Sequence, residues 1–132
     1  GVTIIYKNMD EQNKIVSNQI SFEDFEKVDI RMGTVISADV PEWSHWVIRM
    51  TVDLGEELGV KKCFSGIMKF FTPEQLVGKQ FPFVVNLKPR TIGPDKELSE
   101  AMMIMAVPKE DEETPTVLFN LPEVVPNGTK VR

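Results

Sequence analysis

One cysteine and one histidine stand in a chain of 132 residues, and each scarcity removes a class of function. With Cys63 alone there is no intrachain disulfide, and a reducing, cytoplasmic setting is the expectation. Cys63 and His45 together do not build a zinc site. Placed between Lys62 and Phe64 in an expected strand, the cysteine reads as core rather than nucleophile. Long apolar runs are missing too: stretches such as 101–107 are far too short to span a bilayer. The first residues carry no basic region followed by an apolar one, so no signal peptide is expected. Nor is there a Gly-rich phosphate loop or a serine flanked by paired glycines. No enzyme activity, metal or cofactor is expected.

What is present is a core and an uneven charge. A hydrophobic content of 42% supports one folded domain of ordinary size. The net charge of −5 argues against a general coat for nucleic acid. Its distribution changes that conclusion. Residues 1–26 hold two basic and five acidic side chains, and residues 97–132 hold three and seven. Residues 27–96 hold ten basic and eight acidic, a local balance of +2. An acidic chain can therefore present a basic middle to phosphate.

Residues 1–20 are polar and read as a tail or extension, and residues 21–132 as the folded domain. Ser21 with Asp24 three residues on predicts a short helix held down by Phe22 and Phe25. From Val28 the apolar period becomes two, which predicts a strand with a bulge or tight bend at Gly33. Segments 46–54 and 60–67 predict two more strands. Thr72-Pro73-Glu74-Gln75 predicts a helix ending at Gly78. Apolar runs follow at 81–87, 101–107 and 116–121, with an acidic loop or hairpin between the last two. The pattern is all-β with small helices: a five-stranded Greek-key barrel of the oligonucleotide/oligosaccharide-binding type (OB-fold), one helix lying between strands 3 and 4.

Asn86-Leu87-Lys88-Pro89-Arg90 leads into Ser99-Glu100-Ala101-Met102. This places an amide and two cations beside a flexible Met-bearing strand, without a nucleophile and base, and so suits a polyanion. Met103 and Met105 read as core. Lys61, Lys62 and Lys69 surround Ser65-Gly66, where a ligand backbone can come close. Arg31 and Arg49 either extend that patch or pair with Asp29 and Asp53. Of Trp43 and Trp46, one is expected buried and one available for stacking.

Five segments in order, Val28–Val35, Val52–Gly55, Ser65–Ile67, Asn86–Arg90 and Ser99–Met102, resemble the stand-alone tRNA-binding domain, which is also appended to methionyl- and tyrosyl-tRNA synthetases. The stretches 55–62 and 73–78 are most similar to CsaA-type members. The resemblance implies an OB barrel binding tRNA by shape and backbone, with Arg31, Lys61, Lys62, Ser65, Lys69, Asn86, Lys88, Arg90, Ser99 and Met102 as contacts. It further implies a homodimer joined through terminal segments. The alternatives it leaves open are an export-related chaperone binding unfolded polypeptide, and a docking module for an aminoacyl-tRNA synthetase. One departure is Glu42-Trp43-Ser44-His45-Trp46-Val47, where many members carry an asparagine and a lysine.

Overall fold

The computed structural model describes residues 18–132, so the extension expected over residues 1–20 lies almost wholly outside the described residues. Ser21 caps the first helix as its sequence predicts. Its hydroxyl accepts from the Asp24 N–H at 3.0 Å, and helix α1 runs Phe22–Glu26. The phenylalanines do not hold this helix down: Phe22 is 70% exposed. The tether is Asn86, whose Nδ2 donates to Lys27 O at 2.6 Å while its Oδ1 accepts from Asp29 N at 2.9 Å.

Strand β1 (Ile30–Asp39) is the spine. It pairs antiparallel with β2 (Ile48–Asp53), which alternates buried and half-buried residues along its whole length. A four-residue helix α2 (Gly55–Leu58), unforeseen in the sequence, turns the chain into β3 (Val60–Ser65). The helix expected next is only a three-residue 3-10 turn, Pro73–Gln75. Thr72 N–H donates to Gln75 Oε1 at 2.8 Å, and that single closed turn exhausts the signal. Strand β4 (Gln80–Val84) then returns along β1.

A hairpin of β5 (Arg90–Ile92) and β6 (Glu97–Ser99) follows, then β7 (Met102–Met103) against β4. The five-stranded sheet has the order β3-β2-β1-β4-β7. It is nearly closed by Glu100 N–H to Lys62 O at 2.8 Å and Phe64 N–H to Ser99 Oγ at 3.2 Å. The result is a small OB-like barrel. Strands β8 (Met105–Ala106) and β9 (Val117–Leu118) pair with each other, so the acidic segment between them is a hairpin connection.

Val35, Ile48, Met50, Val52, Cys63, Phe81, Phe83 and Met103 fill the interior. Each large side chain buried there contributes roughly 1.5–3 kcal/mol of transfer free energy. Gly33 marks a close approach rather than the bulge. A side chain there would meet Leu54 Cδ2 at 2.6 Å and Val52 Cγ1 at 2.7 Å, while the register shifts later, between Val35 and Ser37.

The last residues complete β1 where β2 leaves off. Gly128 N–H donates to Met32 O (2.7 Å), Met32 N–H to Thr129 O (2.9 Å) and Val131 N–H to Ile30 O (2.9 Å). The preceding turn is fastened by Asn127 Oδ1, which accepts from Thr34 Oγ1 and from Gln80 Nε2, both at 2.8 Å. Gly55 and Gly128, both at positive φ (+90° and +91°), face each other across this joint. A Cβ on Gly128 would lie 2.7 Å from Leu54 O, and one on Gly55 would overlap Asn127 O.

Candidate nucleic-acid interface

The ten expected contacts separate into three groups once the chain is folded. Lys88, Arg90 and Met102 are exposed, and Met102 is 48% accessible despite following a buried Ala101. Among the described residues neither Lys88 nor Arg90 forms an ion pair or side-chain hydrogen bond, so both charges are free to meet phosphate. Register brings them near each other: Arg90 faces Ser99 across the hairpin, and Met102 pairs with Val84 at the end of β4, just before the Asn86–Arg90 segment. Leu87, half exposed, adds an apolar contact in the same segment.

In the second group, Lys61 and Lys62 line a groove of about 420 Å³ with Thr51, Val60, Leu98 and Glu100. Lys62 is partly committed, since its Nζ lies 3.0 Å from Glu97 Oε1. Glu97 also holds Arg49 at 2.8 Å, and Arg49 is bound as well by Asp39. The carboxylate thus clasps hairpin β5–β6 to β2 and β3. At the hairpin tip Gly93 rests on Trp43, where a Cβ would come within 2.6 Å of ring atom Cε2. Ser65, half-buried, ends β3 opposite Ile48.

The Lys62 hydrogen bond, followed by the Arg49 pair, holds the Glu97 carboxyl below the usual glutamate range. A depressed folded-state pKa means that the clasp stabilises fully above the unfolded value, about 4.3, and is lost as pH falls through the folded value. Thermal unfolding of wild type and Glu97→Gln should therefore differ at pH 7 and converge in acid. A gap that does not narrow as pH falls below the unfolded value contradicts this assignment.

The third group is engaged in holding the fold. Arg31, 5% exposed, sets Nε 2.7 Å from Asp29 Oδ1 and donates from Nη1 to Gly128 O at 3.2 Å, with Glu57 at 3.4 Å. The Asp29 hydrogen bond raises its pKa further, so it is a permanent charge with its partners already supplied. Of the two readings open for Arg31, pairing with Asp29 is the one seen. Arg49 pairs with Asp39 and Glu97 rather than Asp53. Ser99 is 8% exposed and closes the barrel through Phe64 N–H, and Asn86 tethers α1. Lys69 donates to Glu112 O at 3.0 Å, which places it beside the acidic hairpin.

The remaining side chains follow their environment. Burial pushes the Cys63 thiol up to about 11, so it stays protonated and inert at neutral pH. Trp43 is half-buried between Phe64 and Trp46, whereas Trp46 is 56% exposed. Sequence reasoning missed Glu97 and Glu57 because a carboxylate's partners depend on which strands meet. No group of three or more His, Cys, Asp or Glu among the described residues is arranged to hold a metal. No helix among them is long and apolar enough to cross a membrane.

Residues 30–130 match the model of the putative tRNA-binding domain. Methionine–tRNA ligase of Clostridium tetani is 36% identical over 114 residues, covering 86% of this chain but 17% of the ligase. The chain thus spans about a sixth of that relative's length. Among solved structures, chaperone CsaA from Bacillus anthracis is 36% identical with a TM-score of 0.73, covering 87% of this chain and all of the other. The MetRS-related protein from Pyrococcus horikoshii is 32% identical with a TM-score of 0.76, covering 87% and 99%.

Proposed function

We propose that this chain, which belongs to the putative tRNA-binding domain family, is a non-catalytic binder of tRNA. The observation that carries the reading is the free pair Lys88 and Arg90 beside exposed Met102 at one end of the barrel. The cations track the phosphate backbone, and Met102 and Leu87 pack on sugar or splayed bases. Lys61 and Lys62 extend the track along the neighbouring groove. Recognition is by tRNA shape, since few side chains there offer the donor and acceptor pairs that read base edges. The setting is cytoplasmic, and likeness to methionine–tRNA ligase supports action beside such an enzyme.

The protein works as a homodimer. An apolar groove of about 560 Å³, bordered by Ile30, Met32, Pro82, Ile104, Phe119 and Leu121, supports this reading, because a second copy gives such a surface a matching face. Titration of tRNA at rising salt tests the whole proposal. Affinity should fall about linearly on logarithmic axes as counterions are released. Salt-independent binding, or none at all, removes it. Sedimentation should give the mass of two chains, and a single-chain mass removes the dimer.

A further inference from the structure

Strand β6 joins a free cation to a restrained one. Arg90 lies opposite Ser99 across the β5–β6 hairpin, and Glu97, two residues from Ser99, shares its face of β6. Both side chains reach β3: the Ser99 hydroxyl accepts from Phe64 N–H, and the Glu97 carboxylate accepts from the Lys62 ammonium. That carboxylate divides its oxygens between two cations, Oε1 with Lys62 Nζ at 3.0 Å and Oε2 with Arg49 Nη1 at 2.8 Å. A phosphate bridging two basic side chains presents the same pair of anionic oxygens.

The two arms of this clasp are not equivalent. Arg49 is gripped from its other side by Asp39, through Nε and Nη2, and so keeps its place whatever Lys62 does. The Glu97 side chain is only 16% exposed, and leaving it without any cation would strand a poorly solvated charge. With Arg49 in place, departure of Lys62 does not do that. Lys62 is 50% exposed, and Glu97 is the only side chain that engages its ammonium among the described residues. It can therefore turn into the groove that it lines with Lys61 without unfastening the hairpin. Breaking one exposed ion pair of this kind changes an equilibrium by at most about fivefold.

We infer that, given the proposed tRNA binding, Glu97 is an internal stand-in for phosphate that sets the affinity of the site: RNA gains Lys62 only by taking it from Glu97. The carboxylate thereby weakens binding and keeps the complex able to release its RNA. Glu97→Gln should tighten tRNA binding about threefold to fivefold at low salt. In a Lys62→Ala background the same change should give no gain, because the cation that it liberates is missing. Asp39→Asn, an equal change of charge on the far side of Arg49, should give no gain either. In the wild-type protein the Lys62 Nζ resonance should move as tRNA is added while the Arg49 guanidinium resonances stay, a readout that depends on no variant's stability. The assignment is overturned if Glu97→Gln leaves affinity unchanged or lowers it, if the gain survives Lys62→Ala, if Asp39→Asn matches it, or if the Lys62 resonance is unmoved at saturating tRNA. Salt-dependent tRNA binding without these effects removes the role of Glu97 alone, whereas absence of tRNA binding in the wild type and every variant removes the tRNA assignment and this role with it.

Discussion

Lys88→Ala/Arg90→Ala will lower tRNA affinity about a hundredfold, if each cation loses one charged contact worth roughly 1.5 kcal/mol. The two positions are exposed and unpaired among the described residues, so the variant keeps the native unfolding temperature within a degree or two. The slope of log affinity against log salt should become shallower by about 2, one for each phosphate no longer neutralised. Arg31→Lys provides the contrast. Its charge is retained, but the fork that spans Asp29 and Gly128 O is lost, so stability falls while the salt slope stays put. Should the paired alanines leave affinity unchanged, the phosphate track lies elsewhere on the barrel.

Gly55→Ala will damage the fold severely, costing about 3 kcal/mol. Roughly 1–2 kcal/mol comes from the left-handed backbone, and the rest from driving a methyl into the Asn127 carbonyl. Differential scanning calorimetry should show a fall of roughly 10 °C or more. Gly59 supplies a contrast: its backbone (φ +73°, ψ −157°) is itself confined to glycine, yet nothing lies within 4 Å of a Cβ there. Gly59→Ala should suffer only the backbone part. A loss for Gly55→Ala of only about 1–2 kcal/mol would show that the interlock with Gly128 contributes nothing.

How much was legible in the sequence depended on the range of the interaction that decides each feature. The Ser21 cap, the alternation of β2 and the positions of the main strands rest on neighbouring residues or on period, and they were readable. Phe22 and Phe25 have helical spacing, but both remain exposed, Phe22 at 70%, and the tether went to Asn86, 59 residues from Lys27. Met102 and Met103 separated by strand alternation, one exposed and one buried, as the pattern of period two requires. Lys88 and Lys62 look alike in the chain. Only the fold shows that Glu97, 35 residues from Lys62, engages one of them.

The C-terminal segment that lies along β1 has a consequence for how the protein comes into being. Arg31 waits for Gly128, 97 residues later, before its guanidinium and the edge of β1 are satisfied. At about 5–20 residues per second of synthesis, that is a wait of roughly 5–20 s. Throughout it the nascent chain shows an open strand edge of the kind that recruits other chains. Closing so long a loop adds little to the equilibrium cost, since that grows only with the logarithm of length, but it does slow the step. The barrel is therefore finished late, at its first strand.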